Sequence, residues 1–438
     1  MARDIRIGLI GFGTVGTGVI KLLQRHQGQI RARLGARLVL ARVADIELRR
    51  DRGVRVDRKL LTSDAAELLN DPTIDIIMEL MGGYEPARRF VLQAIRNGKS
   101  VVTANKALLA VHGAEIFAAA EQGGVDIGYE ASVGGGIPII RTLKEGLAGD
   151  RNRAIYGIVN GTSNYILSTM TQQGGEFAAV LGEAQKQGLA EADPTYDVDG
   201  IDAAHKLALL IQLAFGTAAR FDDLPVEGIR HVSQRDIGFA REFGYAIKLL
   251  AIAKQDGDAV EARVHPTMVP SKHLLADVSG AYNAIFVHGE ALGDTMYFGL
   301  GAGMMPTATA VLADLIEVAR NVSNGDRGRI PPLGYPLAQQ RHAPLKLMDE
   351  LISEYYLRFM VVDRPGVLAK ISGMLGRHQI SIASVIQRER EHGASVPVVI
   401  RTHQARERDL RRALQQIDRL AVVRAKSVVI RIEDSLGQ

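Results

Sequence analysis

Short apolar runs separated by helical stretches set the rhythm of the first part of the chain. Ile5-Arg-Ile-Gly-Leu-Ile10 is strand-like, and a glycine turn and a helix to about Leu23 follow it. Leu38–Ala44 reads as a second strand and Ile74–Leu80 as a third. Ser100–Ala104 and Val125–Tyr129 continue the series, with helical stretches near 85–97 and 107–121. Strands this short, alternating with helices, predict a Rossmann-type, doubly wound parallel sheet over residues 1–130, each crossover right-handed.

From residue 131 the pattern changes. Gly134-Gly-Gly136-Ile-Pro138 breaks the chain, and helices are predicted near 138–148, 162–173, 176–188 and 201–215. Strand-like Glu261–His265 and Ala284–His288 make residues 131–322 a second, mixed α/β domain for catalysis and dimerisation. Within it, the helical run 307–322 is expected to return to the first domain. Residues 323–349, with their Gly, Pro, Arg and Gln, read as a linker. Residues 350–438 have a separate order. Strand Tyr355–Val361, helix Val367–His378, strands Ile382–Gln387 and Val396–Arg401, a charged helix near 405–418 and strand Val422–Ile432 give βαββαβ, a ferredoxin-like module.

The length of 438 residues suits two to four domains, and 47% hydrophobic with 23% charged residues is ordinary for an α/β protein. A formal charge of +4 is small, and basic runs such as Arg406-Glu-Arg-Asp-Leu-Arg-Arg412 are interleaved with acids. Solvated helix faces explain them better than a nucleic-acid partner. The absence of cysteine rules out disulfides, cysteine–zinc sites and thiol catalysis. The first residues read as a strand rather than a signal segment, and no apolar stretch reaches the ~18–20 residues that span a bilayer. A cytoplasmic protein with no membrane partner is expected.

Two stretches carry chemistry. Gly11-Phe12-Gly13-Thr14-Val15-Gly16 lies between a strand and a helix, the setting in which such glycines let backbone N–H groups meet a pyrophosphate. Asp45, ending the second strand, is placed for the ribose hydroxyl of NAD. Arg49 and Arg50 just beyond suit the 2′-phosphate of NADP, and the choice stays open. The second stretch is Glu191-Ala-Asp-Pro-Thr-Tyr-Asp197-Val-Asp-Gly-Ile-Asp202-Ala-Ala-His-Lys206. Asp202 and Lys206 share a helix face four residues apart, amid apolar neighbours that make a lone charge costly. Perturbed pairs of this kind gather at active sites.

Together with Thr103-Ala-Asn-Lys106 and Gly161-Thr-Ser-Asn-Tyr-Ile166, these stretches resemble bacterial homoserine dehydrogenase over nearly the whole chain. Asp363-Arg-Pro-Gly366-Val-Leu-Ala-Lys-Ile371 resembles the start of an ACT domain, a small module that commonly binds an amino acid. The resemblance implies reversible, NADP- or NAD-dependent interconversion of L-homoserine and L-aspartate 4-semialdehyde, on the route to threonine and methionine. It implies Lys206 and Lys106 at the reacting centre, with Glu191, Asp197 and Asp202 holding the substrate. Gly188 and Gly303 would line the cofactor with the glycine turn and Lys106. Sodium would be held by Glu130 and the carbonyls of Val133, Gly135 and Ile137. The ACT module implies allosteric threonine, and the family implies a homodimer or homotetramer.

The residues support these roles in their own terms. An alcohol oxidised by hydride transfer must lose its hydroxyl proton, which a lysine with a burial-lowered pKa can take and return. Acids at 191–202 suit a substrate ammonium. Plainer readings stand beside these. The acids could ligate Mg²⁺, Lys106 could be a solvated helix start, Asn160 to Asn164 a helix cap, and Gly134–Gly136 a tight turn without an ion. His205 faces away from Asp202 and reads as packing. Another amino-acid oxidoreductase, or a non-catalytic sensor of NAD(H) and an amino acid, are the rival functions.

Overall fold

Strand β1 (Asp4–Ile10) is central to a six-stranded parallel sheet, and Ile5, Ile7 and Leu9 are fully buried. The sheet comprises β1, β2 (Arg37–Ala44), β3 (Leu61–Thr62), β4 (Ile76–Glu79), β5 (Ser100–Thr103) and β6 (Ile127–Gly128), in the order β3-β2-β1-β4-β5-β6. Buried on both faces, such strands need continuous apolar sequence, which is why they stand out in the chain. The two-residue β3 and the helical turn Ala66–Leu69 carry no such signal, so the run expected as the third strand is the fourth. In this computed structural model, residues 4–387, 395–434 and Leu436 are described.

The chain forms two compact units. The first comprises Met1–Gly161, Asp202–Leu224 and Tyr282–Ala343, and the second Thr162–Ile201, Pro225–Ala281 and Pro344–Gln438.

Beyond the parallel sheet come β7 (Asn152–Ile158), β8 (Tyr245–Asp256), β9 (Ala259–Pro270), β10 (Tyr282–Gly289) and β11 (Gly293–Leu300). In the first unit, β10 pairs antiparallel with both β7 and β11. The helix Met304–Asn324 packs against helix Thr14–Arg25, with Val311, Leu315 and Val318 in one core with Ile5, Ile7 and Leu9. Gly18 lets these helices approach, since a Cβ there would lie 2.8 Å from the Met304 carbonyl oxygen. Residues of this helix thus share the core of the parallel sheet. The helix expected over 138–148 is α-helical only at Ile139–Arg141 and continues as a π-turn, Thr142–Gly146. Thr142 Oγ1 donates to the Pro138 carbonyl at 2.6 Å and competes with the helix for that acceptor.

In the second unit, β8 and β9 form a long hairpin. The terminal module adds β12 (Ile352–Val361), β13 (Ile382–Gln387), β14 (Val396–Thr402), the two-residue β15 (Ala405–Arg406) and β16 (Val423–Ile432). Its strand order is β16-β12-β14-β13, with helices Val367–Arg377 and Glu407–Ile417 closing one core over Tyr355, Leu357 and Phe359. This is the expected ferredoxin-like module. Strand β16 also pairs in parallel with β9, Arg431 opposite Thr267, so the module's sheet runs on into the hairpin. Residues 323–349 are not free of structure: 323–324 end a helix, and Arg341 bridges to Thr217 while Leu345 bridges to Val260. No helix among the described residues is long and apolar enough to cross a membrane.

Candidate active site

The glycine turn is built as its spacing requires. Gly11 has φ +97°, and a Cβ there would lie 2.6 Å from the Leu80 carbonyl carbon. A Cβ on Gly16 would run into the Gly11 carbonyl oxygen, so the helix can start this close to the strand only with glycine. Gly13 faces open space just before Thr14, where the helix and its free N–H groups begin. Beside the turn lies a cavity of about 440 Å³ lined by Gly11, Gly13, Asp45, Glu47 and Arg50 among others. Room, N–H groups and glycines together fit a dinucleotide.

Asp45 does more than end its strand. Its Oδ2 accepts the Phe12 N–H at 2.6 Å, and its Oδ1 accepts the Glu47 N–H at 2.7 Å and Arg52 Nη2 at 3.0 Å. Arg52 also donates to the Phe12 carbonyl, and its guanidinium lies 4.6 Å from the centre of the Phe12 ring. Asp45 therefore ties the glycine turn to β2, and Arg52 neutralises it. In the sequence Arg52 belongs only to the basic run Arg49-Arg50-Asp51-Arg52, and nothing local singles it out as the partner of Asp45.

The charged set of the helix Ile201–Phe215 lies in the same unit. Lys206 Nζ is 2.7 Å from Asp202 Oδ2 and donates to the Val159 carbonyl at 2.6 Å. Lys106 Nζ is 3.0 Å from the other oxygen, Asp202 Oδ1, and Asn160 Nδ2 donates to Oδ2 at 2.9 Å. Asp202 and Lys206 are buried. Burial on its own would raise the Asp202 pKa; the Lys206 and Lys106 ammoniums, with hydrogen bonds from Lys206 and Asn160, outweigh it and hold the carboxyl well below the usual range. His205 stacks at 4.2 Å on Phe221, the packing role expected of it.

Lys106 is the first residue of helix Lys106–Gly123, where the helix dipole disfavours a cation. Asp202 compensates, so Lys106 is not simply a solvated helix start. A buried relay fixes this helix end. Glu79 Oε1 accepts the Met81 N–H, and Oε2 accepts the Thr103 hydroxyl at 2.7 Å. Thr103 Oγ1 accepts the Asn105 N–H, and Asn105 caps the helix through the Leu108 N–H. Burial raises the Glu79 pKa against these donors. Glu79 carries no local signal in the sequence and Asn160 only that of a helix cap, because their partners lie 24 and 42 residues away.

Glu191, Asp197 and Gly188 belong to the second unit. Glu191 is exposed, Asp197 is half-buried in the turn Thr195–Val198, and Gly188 has φ +71°. The Asp197 carbonyl accepts the Ser163 hydroxyl at 2.8 Å. Among the described residues, no cluster of three or more His, Cys, Asp or Glu could hold a metal.

Glu130, in the first unit, accepts the N–H groups of Ile140 at 2.7 Å and Arg141 at 2.8 Å, while its own N–H donates to Asp314 at 2.7 Å. Burial and then the Asp314 charge push its pKa up to about 7. Ser132 Oγ nearby in sequence is buried with no hydrogen-bond partner among the described residues. A buried carboxylate followed by carbonyl-bearing turns is a donor set suited to a hard monovalent cation. The glycines here also answer a steric demand, since a Cβ on Gly135 would run into the Gly301 carbonyl. Gly303, φ +121°, precedes the helix Met304–Asn324.

A parallel sheet with a pyrophosphate-type turn, together with a buried Asp202–Lys206 pair joined by the half-exposed Lys106 in the same unit, defines a dinucleotide-dependent oxidoreductase. Family comparison agrees. Residues 11–130 match the model described as "Homoserine dehydrogenase, NAD binding domain", 138–316 "Homoserine dehydrogenase" and 355–422 "ACT domain". The chain belongs to the homoserine dehydrogenase family and carries an NAD(P)-binding domain and an ACT domain. It is 43% identical to the homoserine dehydrogenase of Pseudomonas aeruginosa over 433 residues, 98% of this chain and 99% of that one. Identity to the homoserine dehydrogenase of a Synechocystis species is 44%, again over 98% of this chain and 99% of the relative. The crystal structure of a homoserine dehydrogenase from Thiobacillus denitrificans matches 99% of both chains at 44% identity, with a TM-score of 0.91.

Proposed function

We propose that this chain catalyses the reversible NAD(P)-dependent interconversion of L-homoserine and L-aspartate 4-semialdehyde. The observation that carries the reading is Asp202 holding Lys206 and Lys106 on its two oxygens. When bound, the nicotinamide ring supplies the two-electron acceptor or donor. Lys206, as the neutral amine, takes the substrate hydroxyl proton in the oxidation and, as the ammonium so formed, returns it in the reduction. Lys106 steadies the negative charge on the reacting oxygen. Asp202 stays ionised and orients both lysine nitrogens. Glu191 and Asp197, with Asp202, bind the substrate ammonium.

Gly11 to Gly16, Asp45, Lys106, Gly188 and Gly303 form the cofactor side in this reading. Asp45 being neutralised by Arg52, with the exposed Arg50 nearby, favours NADP over NAD. Sodium is assigned to Glu130 with the Val133, Gly135 and Ile137 carbonyls, where it would offset the buried Glu130 charge. Functional segments are placed at 1–130, 131–322 and 350–438, with 323–349 linking them, and threonine is assigned to the ACT domain as regulator. A homodimer or homotetramer is supported by β11, an edge strand where Leu292, Phe298 and Leu300 lie exposed at its ends. The enzyme is placed in the cytoplasm.

The test is the absorbance change of NADPH or NADH with L-aspartate 4-semialdehyde, for the wild type and Lys206→Ala. Turnover by the wild type and its collapse in the variant, with cofactor binding retained, is the expected result. No turnover by the wild type, or wild-type turnover by the variant, refutes the reading.

A further inference from the structure

Arg431, on the last strand of the ACT domain, is buried between two carboxylates. On one side is Glu407, the first residue of the helix Glu407–Ile417: Arg431 Nε donates to its Oε2 at 2.9 Å and Nη2 to its Oε1 at 2.6 Å. On the other side is Glu227, from outside the ACT domain, which receives Nη1 at 3.0 Å and Nη2 at 2.9 Å. The Glu407 carboxylate also takes the Tyr355 hydroxyl and Arg411. One guanidinium thus serves two bidentate pairs, and any shift of the helix end changes what it offers Glu227.

Glu227 stands in a segment that is fixed on both sides. Its N–H donates to the Val264 carbonyl at 2.8 Å, and the Val264 N–H donates to Pro225, so the segment lies along β9. Two residues on, the Ile229 N–H donates to the Val198 carbonyl at 2.8 Å. Between them, Gly228 lies so close to Val198 and Asp199 that a Cβ would overlap the backbone of both. Gly200 packs in turn on Val226 and Val264. Arg230 donates to the Asp199 carboxylate and to Thr195. The acidic turn bearing Asp197 therefore has its backbone laid against residues 226–230, and those residues are anchored to the ACT domain by a buried charge.

We propose that Glu227 is a positioning residue, through which Arg431 of the ACT domain sets the placement of the Thr195–Asp199 turn. Its consequence for substrate rests on the assignment of Asp197 and Glu191 to substrate binding. The link gives the ACT domain a direct route to substrate affinity. A ligand that moves the Glu407 helix end or β16 alters the Arg431–Glu227 pair and, through Ile229 and Gly228, the turn.

Full-length Glu227→Ala and Glu227→Gln proteins are to be compared with the wild type by amide hydrogen–deuterium exchange and by steady-state kinetics. In Glu227→Ala, exchange across 193–200 is expected to accelerate several-fold while that of β1 and β5 is unchanged. Its homoserine KM rises about tenfold, the loss of one charge-assisted contact, with kcat and the cofactor KM within about twofold. Glu227→Gln, which keeps an acceptor oxygen, recovers part of both effects. Unchanged exchange across 193–200 in Glu227→Ala overturns the proposal, as does a uniform rise in exchange throughout the chain, which marks simple destabilisation. A wild type that does not turn over homoserine counts against the assigned reaction, and exchange across 193–200 still decides the role of Glu227.

Discussion

Asp202 sits one helical turn before Lys206 and receives its ammonium at 2.7 Å, both side chains out of water. An i,i+4 pair on an exposed helix face contributes about 0.3–0.5 kcal/mol. Here burial changes the balance. Two desolvated charges must compensate each other, and the Val159 carbonyl and Asn160 amide complete their hydrogen bonding. The half-exposed Lys106 on the second oxygen leaves the set with a net positive charge, suited to an oxygen that becomes negative.

Removing the carboxylate should therefore cost stability as well as activity. Asp202→Ala leaves Lys206 buried without its counter-charge, a loss of ~3–5 kcal/mol. Denaturant unfolding of the unit that holds this helix measures it. A variant as stable as the wild type would show that the pair is not desolvated as described.

The two lysines should separate kinetically. Lys106→Ala should lower kcat by about 10²–10³, as for loss of one donor to a developing oxyanion. Lys206→Ala should fall at least as far, since the proton itself loses its carrier. Equal kcat for Lys106→Ala and the wild type would remove Lys106 from the chemistry.

Asp45 and Arg50 should also part company. Asp45 holds the Phe12 N–H and thereby the shape of the glycine turn, so Asp45→Ala should weaken NAD and NADP together, by about tenfold for one charge-assisted bond. Arg50 lines the cavity and its guanidinium pairs with Glu47, so Arg50→Ala should weaken NADP alone. Fluorescence titration with each cofactor decides; a selective loss of NAD in Arg50→Ala would reverse the assignment.

What the sequence disclosed follows its physical origin. The parallel strands and the βαββαβ order were legible because burial on both faces, or alternation, leaves a local pattern. Tyr245–Asp256 carries no strand signal: Leu249 to Ala253 are all buried, so that stretch lacks alternation and looks equally helical. The acidic stretch with Asp202 and Lys206 was legible because four-residue spacing is local. Longer-range contacts were not. Asn160 to Asp202, Arg52 to Phe12, Glu79 to Thr103 and Asp314 to Glu130 act across tens to nearly two hundred residues, and only the tertiary fold brings them together.

Lys248 yields a prediction with a definite sign. Buried on β8, it donates to the Val278 carbonyl, to which Asn164 Nδ2 also donates. Burial lowers its pKa to about 8, and the Asp277 charge offsets this only in part. The unfolded chain, with a lysine near its ordinary 10.5, then binds more protons than the folded protein between pH 8 and 10.5. Stability contributed by this group must rise with pH across that window, reaching its full value above the unfolded pKa and lost as pH falls through the folded one. Tyr245, whose burial pushes its pKa up to about 12, acts in the opposite direction near the top of the window, so the wild type alone is a poor reporter. The difference between the wild type and Lys248→Met removes that background. Lys248→Met should be relatively more stable at pH 7.5, where the wild type buries an ammonium, and should lose that advantage progressively by pH 10. Melting midpoints taken at half-unit intervals measure it, and a constant gap from pH 7.5 to 10 would show that Lys248 titrates as it does in water.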